Sequence, residues 1–86
     1  MASEGKLQIL YFHSIREVTG CAGELWTLNR TSRTVAQLLE QLEAKYPRLR
    51  DHRDSMRVAV NETFARLSAQ LSEGDTIALI PPVSGG

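Results

Sequence analysis

Residues 34–46 read Thr-Val-Ala-Gln-Leu-Leu-Glu-Gln-Leu-Glu-Ala-Lys-Tyr and carry the clearest helical pattern in the chain. Apolar side chains recur there at the spacing of one helix face, at Val35, Leu38, Leu39, Leu42 and Tyr46. Thr34 and Gln37 have the spacing of a capping box, which indicates the first turn. Because a proline disfavours helical backbone at the residue before it, Pro47 predicts that the helix ends at Tyr46.

The segments around this helix alternate apolar and polar residues, as half-buried β-strands do. The predicted strands are residues 6–12, 24–28, 56–60, 64–67 and 76–80. Ser14 and Glu17 have capping-box spacing and Gly20 follows them, so a short helix of about two turns is predicted after the first strand. The predicted fold class is therefore α+β: a mixed sheet of about five strands packed on one long helix, in the element order of the ubiquitin-like β-grasp.

Strand periodicity assigns each apolar side chain to one of the two faces of the sheet. The side chains predicted to face the long helix are Leu7, Ile9, Tyr11, Ile77 and Leu79. The side chains predicted to point outward are Leu10, Phe12, Ala78 and Ile80. Phe12, Phe64 and Ile80 are predicted to form one apolar patch near the end of the chain, and such a patch favours a partner-binding surface over scattered exposure.

Composition and charge indicate one folded domain over residues 1–86, with a flexible N-terminus at 1–5 and an extended tail at 81–86. The apolar fraction is 42%, and ten Lys plus Arg balance ten Asp plus Glu. A net charge of zero gives no long-range attraction to nucleic acid or to anionic membranes. The arginine-rich segment 48–54 alternates with acids and is interpreted as a solvated loop. No apolar stretch approaches the length of a membrane span, and no signal peptide or Arg-rich leader is found, so a cytosolic location is expected.

The chain lacks the residues of a complete active site. His13, His52 and the single cysteine, Cys21, do not have zinc-ligand spacing. No glycine-rich nucleotide-binding motif occurs. Cys21 is interpreted as a small loop residue rather than a nucleophile, because the sequence places no base beside it. We therefore expect no metal and no cofactor to be bound by this chain alone.

The final segment, Pro81-Pro-Val-Ser-Gly-Gly86, is the part of the sequence best suited to chemistry. Paired prolines favour an extended backbone, and two terminal glycines leave the carboxylate without neighbouring side chains. A terminal carboxylate is an anion at neutral pH and a poor electrophile, so a partner that uses ATP would have to activate it. The alternative is a frayed tail or a cloning remnant without function.

Three segments of the sequence resemble a known family. They are Leu10-Tyr-Phe-His-Ser-Ile-Arg-Glu-Val-Thr-Gly20, Val58-Ala-Val-Asn61 and Leu71-Ser-Glu-Gly-Asp-Thr-Ile-Ala-Leu-Ile-Pro-Pro-Val-Ser-Gly-Gly86. Together with the β-grasp order, they resemble the small, sulfur-carrying subunit of molybdopterin synthase. The terminal Pro-Pro-x-Ser-Gly-Gly pattern is the most specific of them and differs from the arginine-rich end of ubiquitin.

The resemblance implies a sulfur-transfer cycle in molybdenum cofactor biosynthesis. An ATP-dependent adenylyltransferase and sulfurtransferase would adenylate Gly86 and convert it to a thiocarboxylate. The large synthase subunit, in a heterotetramer, would then receive the tail and pass the sulfur to cyclic pyranopterin monophosphate. The residues implied for the inserting arm are Pro81, Pro82, Val83, Ser84 and Gly85. Those implied for the partner interface are Phe12, Arg16, Phe64 and Ile80, although Arg16 is equally compatible with a solvated helix position.

Three other functions remain open from the sequence. The same carrier chemistry could serve thiazole synthesis or tRNA thiolation. The chain could be a ubiquitin-like modifier that forms isopeptide bonds to lysines. It could also be an interaction module whose tail has no chemical role.

Overall fold

The computed structural model of the protein describes residues 5–30 and 32–82. The elements follow in the order β1 (Gly5–Tyr11), α1 (Ser14–Thr19), β2 (Gly23–Leu28), α2 (Val35–Lys45), a 3-10 helix (Pro47–His52), β3 (Arg57–Val60), β4 (Thr63–Phe64) and β5 (Thr76–Ile80). The parts of the expected flexible N-terminus and tail at residues 1–4 and 83–86 lie outside the described residues.

The strands form one five-stranded sheet in the order β2-β1-β5-β3-β4. β5 pairs in parallel with β1 and antiparallel with β3, and the other neighbouring pairs are antiparallel. The strand that leads into the chain terminus therefore lies at the centre of the sheet, and β4 lies at an edge. The mixed sheet and its long helix confirm the predicted α+β class and β-grasp architecture.

The core lies between α2 and one face of the sheet. The side chains that were predicted to face the helix are all buried, namely Leu7, Ile9, Tyr11, Ile77 and Leu79. From α2, the buried apolar residues are Val35, Leu38, Leu39 and Leu42. The apolar periodicity of the sequence therefore identified both sides of this interface, because each buried stripe matches the period of its own element.

The first turn of α2 has its free N–H groups satisfied from two sources. The Thr34 hydroxyl accepts from the Gln37 N–H at 3.2 Å, and the Gln37 side chain accepts from the Thr34 N–H at 3.2 Å, which confirms the capping box. The carbonyls of Ala69 and Leu67 accept from the N–H groups of Val35 and Ala36.

The second of these contacts explains why the strand predicted at 64–67 is shorter than expected and is shifted to Thr63–Phe64. β4 stops at Phe64, and by Leu67 the chain has left the sheet for the helix terminus, where its carbonyl bonds to Ala36. The N–H groups in the first turn of a helix have no partner within the helix, so they offer the passing chain an alternative to the hydrogen bonds of the sheet.

The capping box predicted for α1 is wrong. The N-cap residue is His13, whose side chain makes no capping bond and whose backbone has φ 51° and ψ −123°. The N–H groups of Ile15 and Arg16 instead bond to the carbonyls of Phe12 and His13. A tight turn therefore supplies the partners that a serine side chain would otherwise provide, while Gly20 ends the helix in the left-handed conformation as predicted.

The segment interpreted as a solvated loop contains a 3-10 helix and contributes to the core. Leu49 is fully buried within it. Glu43 of α2 is also buried, and its carboxylate oxygens lie 3.8 Å from Arg50 Nε and 3.5 Å from Arg53 Nε. The charges in this segment therefore balance a buried acid on α2 as well as one another, which sequence adjacency did not reveal.

Replacing Thr34 by alanine is expected to destabilise the fold by about 1 kcal/mol, because it removes the hydroxyl that accepts from the Gln37 N–H. Urea unfolding measures this loss. The matched control is Ser68→Ala, which removes an exposed hydroxyl for which the described residues show no hydrogen bond, and it should shift stability by less than about 0.5 kcal/mol. Equal losses in the two variants would contradict the capping role.

Candidate functional site

The outer face of the sheet, opposite α2, carries a continuous apolar row across four strands. The cross-strand register pairs Leu10 with Ala78, Ala78 with Ala59, and Ala59 with Phe64. The two residues at the centre of the row are alanines with short side chains, and larger side chains lie on either side of them. The Phe64 side chain is 62% exposed. An exposed aromatic beside a shallow apolar floor is typical of a surface that another molecule covers.

Phe12 and Ile80 extend this face toward the end of β5. The Phe12 N–H donates to the Leu79 carbonyl at 3.2 Å, which holds Phe12 beside the last residues of that strand. Phe12, Phe64 and Ile80 line one open concavity of about 590 Å³, together with Leu10, Ala59 and Ala78. The structure therefore brings together the three apolar residues that the sequence placed in one patch, which we call the outer patch: Leu10, Phe12, Ala59, Phe64, Ala78 and Ile80.

Arg16 is not among the residues that line the concavity of the outer patch. It is exposed on α1, and the described residues give it no ion pair. Its proposed role at the partner interface therefore stays a prediction.

The chain leaves the outer patch through the two prolines. Ile80 ends β5, Pro81 is buried and Pro82 is exposed. The other residues assigned to the tail, Val83, Ser84, Gly85 and Gly86, lie outside the described residues. Ile80 belongs to the patch and is followed at once by the prolines, so the patch adjoins the start of the terminal segment.

Two turns at the opposite end of β5 fix its position. The Asn61 amide donates to an Asp75 carboxylate oxygen at 2.9 Å, and the Asn61 side-chain carbonyl accepts from the Thr76 N–H at 2.9 Å. Asn61 and Glu62 both have positive φ, at 52° and 72°, as a tight turn of two central residues requires. The β3–β4 turn is therefore tied to the start of β5, which sets the rim of the concavity. The sequence indicated a turn here but not this clamp.

The described residues with displaced pKa values gather at the other edge of the sheet, around Glu24 of β2. Its carboxylate accepts from Tyr11 and Tyr46 at 2.6 Å each and from Lys45 at 2.7 Å. Burial acts to raise the pKa of Glu24, but these hydrogen bonds and the Lys45 charge outweigh it and hold the pKa below its usual range. Burial, and then the bond to Glu24, raise the pKa of the Tyr11 phenol. This cluster joins β2 to α2 and is structural.

Replacing Glu24 by glutamine is expected to reduce the amount by which the free energy of unfolding falls on acidification. A depressed carboxyl pKa stabilises the fold above the unfolded-state value of about 4.3, and this contribution disappears as pH falls through the lower folded-state pKa. The variant should lose about 2 kcal/mol at neutral pH because charge-assisted bonds are lost. Urea unfolding between pH of about 7 and about 3 measures both effects, with the usual carboxyl pKa inside that range.

Glu40→Gln is the control for this measurement, since Glu40 is exposed on α2 and forms no ion pair with the described residues. Its stability should follow the wild type across the same pH range. If Glu24→Gln and the wild type lost stability in parallel on acidification, the assigned role of Glu24 would be refuted.

Within residues 5–30 and 32–82 no group of three or more His, Cys, Asp or Glu side chains is arranged to hold a metal ion. The helices in the same ranges are all too short or too polar to cross a membrane. Cys21 is partly buried and is not part of a disulfide.

The sequence is similar to proteins of one family. The sequence matches the profile of the ThiS family over residues 9–86. A molybdopterin synthase sulfur carrier subunit from Mycobacterium tuberculosis is 41% identical over 81 residues, which cover 94% of this chain and 98% of that protein. The protein of the same name from Homo sapiens is 34% identical over 84 residues, with 94% of each chain covered.

Solved structures support the same fold. The small archaeal modifier protein 1 of Haloferax volcanii has a TM-score of 0.79 at 26% identity, covering 92% of this chain and 99% of that one. A chain from the complex of subunits 1 and 2 of the molybdopterin-converting factor of Helicobacter pylori has a TM-score of 0.63 at 23% identity, covering 94% and 99%. At that identity the second likeness supports the fold alone.

Proposed function

The chain belongs to the ThiS family, and we propose that it acts as the sulfur carrier subunit of molybdopterin synthase. The relatives of that name span nearly the whole chain and confirm the resemblance inferred from the three sequence segments. The structural observation that carries the proposal is the position of Ile80, which lies in the outer patch and ends the strand that leads into Pro81-Pro82. A partner that docks on the patch would then lie beside the terminal segment.

The chemistry would occur at the carboxylate of Gly86. One of its oxygens attacks the α-phosphorus of ATP in the activating enzyme, which releases pyrophosphate and leaves an acyl adenylate. A sulfur nucleophile at the oxidation level of sulfide then attacks the acyl carbon, and AMP leaves with the original carboxylate oxygen. The product is a thiocarboxylate. This chain contributes the reacting carboxyl group and its delivery, while ATP and the catalytic side chains belong to the activating enzyme.

In the second half of the cycle the tail would enter a pocket of the large synthase subunit. The thiocarboxylate sulfur would attack an electrophilic carbon of cyclic pyranopterin monophosphate. Water would then cleave the acyl–sulfur bond, which leaves the sulfur on the pterin and returns Gly86 to a carboxylate. Gly85 and Gly86 suit this step because a chain without side chains fits a narrow channel. Pro81 to Ser84 would form the rest of the arm. The apolar character of the outer patch fits the docking of such a subunit, because burial of apolar surface drives most protein association.

Reconstitution tests the proposal. The thiocarboxylate form of the chain, mixed with the large subunit, should convert cyclic pyranopterin monophosphate to the dithiolene product, with two sulfur equivalents consumed for each pterin. The carboxylate form should give none. Sulfur delivered instead to a thiazole precursor or to tRNA, with no pterin product, would keep the carrier chemistry and change its destination.

A protein modifier is the second candidate, favoured by the likeness to the small archaeal modifier protein 1. It would use the same activated Gly86 but transfer the acyl group to a lysine amine of another protein. Cell extracts would then contain adducts of this chain that are larger than the chain and resist denaturant. The sulfur carrier proposal predicts that such adducts are absent while the thiocarboxylate is present.

A further inference from the structure

A second groove runs along the β4 edge of the sheet, beside the outer patch. It is open, with a volume of about 400 Å³, and lies between the segment around β3 and the chain after β4. Its apolar residues include Met56, Phe64 and Leu67, and its arginines are Arg53, Arg57 and Arg66. Phe64 and Leu67 are two of the most exposed large apolar side chains in the described chain, at 62% and 51%. We call this feature the edge groove.

The edge groove concentrates positive charge in a chain whose net charge is zero. Arg57 and Arg66 are exposed, and neither forms an ion pair with the described residues. The Arg53 guanidinium is partly engaged by Glu43, at 3.5 Å. Asp54 is the acid that lines the groove. Two unpaired cations therefore flank apolar surface, an arrangement that is complementary to carboxylates next to apolar side chains.

The edge groove is continuous with the outer patch. Phe64 lines both concavities. The Arg57 guanidinium carbon lies 5.2 Å from the centre of the Phe64 ring, and Arg57 is the cross-strand partner of Ile80. A protein that covers Phe64 and Ile80 therefore lies close to Arg57, and its side chains determine whether this cation stays unpaired.

We propose that the edge groove receives an acidic, partly apolar segment of the large synthase subunit, the protein proposed to dock on the outer patch. Carboxylates of this segment pair with Arg57 and Arg66, and its apolar side chains pack on Phe64 and Leu67. The inference rests on the proposed function for the existence of that partner. A zero net charge gives no field that would gather a polyanion over the whole surface, so a local protein segment fits the charge pattern better than nucleic acid does.

The test measures the dissociation constants of the chain with the large subunit and, separately, with the activating enzyme. The variant Arg57→Gln/Arg66→Gln should bind the large subunit about tenfold more weakly at about 0.05 M salt. At about 0.5 M salt, where exposed ion pairs are screened, the difference from wild type should fall below about threefold. Arg57→Lys/Arg66→Lys keeps both charges and should retain most of the affinity at low salt.

The matched control is Arg30→Gln/Arg48→Gln, which removes the same charge from exposed positions that do not line the groove. It should change affinity by less than about twofold. Circular dichroism and thermal melting of all variants check that folding is preserved.

Affinity for the large subunit equal to that of the control variant would overturn the inference, and so would a loss confined to the activating enzyme. So would a loss that persists undiminished at high salt, since it would assign the effect to packing of Arg57 on Phe64. Displacement of the large subunit by a twelve-nucleotide oligothymidine from wild type, but not from Arg57→Gln/Arg66→Gln, would show a general polyanion surface instead. Formation of the Gly86 thiocarboxylate is measured in parallel. If the thiocarboxylate forms while the groove variant binds normally, the groove proposal fails and the proposed function stands.

Discussion

Deletion of Gly86 is expected to abolish sulfur loading of the chain while leaving its thermal unfolding unchanged. The reacting carboxyl group would then sit on Gly85, one residue short of the position that the activating enzyme reaches, and a displacement of this size removes the proximity that drives acyl activation. The core side chains in the described part of the chain come from residues between Leu7 and Leu79, so the deletion removes no core side chain. Loading should fall by at least about 1,000-fold.

Gly86→Ala provides the graded version of this experiment. It keeps the length and the carboxyl group and adds one methyl group, so activation and insertion should slow while the melting temperature remains the same. Quantitative mass spectrometry of the loaded fraction over time gives the rate. A drop of several degrees in the melting temperature on deletion would indicate a structural tail, and unchanged activation kinetics in both variants would remove Gly86 from the mechanism.

Ile80→Asp is expected to weaken association with the large subunit by more than about 100-fold. Ile80 lies at the end of β5 in the outer patch, and a partner that covers it would bury the new carboxylate without a counter-charge. Leaving a buried polar or charged group unpaired costs about 3 kcal/mol or more, which corresponds to this loss of affinity. Isothermal titration calorimetry with the purified subunit measures it.

Two further variants make this prediction specific. Phe12→Asp introduces the same charge next to β1, on the other side of the patch. If both variants bind weakly, a folding defect confined to β5 does not explain the loss. Leu25→Asp is the matched control, because Leu25 is 65% exposed on β2 and does not line the concavity. It should bind within about twofold of wild type. Normal affinity for both Phe12→Asp and Ile80→Asp would mean that the outer patch is not the docking surface.

The features that sequence predicted well are those encoded within one element. The capping box at Thr34, the end of α2 before Pro47 and the alternation along β1 and β5 each depend on neighbouring residues and on the period of that element. The outer patch followed from the same alternation, since residues excluded from the core must point the other way.

The features that sequence missed depend on contacts between distant segments. The Glu24 cluster joins residues 13 and 22 positions apart, and no local pattern indicates it. β4 is shorter than predicted because the carbonyls of Leu67 and Ala69 pair with the start of α2. The edge groove likewise exists only because β4 lies next to β3 at the sheet edge, which brings Arg57 over Phe64.

The measurement that tests the central claim most directly is the intact mass of the chain after expression with its activating and sulfur-transfer enzymes. We expect an increase equal to the replacement of one oxygen by sulfur, present in the full-length chain and absent when Gly86 is deleted. Fragmentation should locate the sulfur at Gly86. No mass increase, with the same enzymes shown to be active on another carrier, would contradict the assignment of this chain as a sulfur carrier.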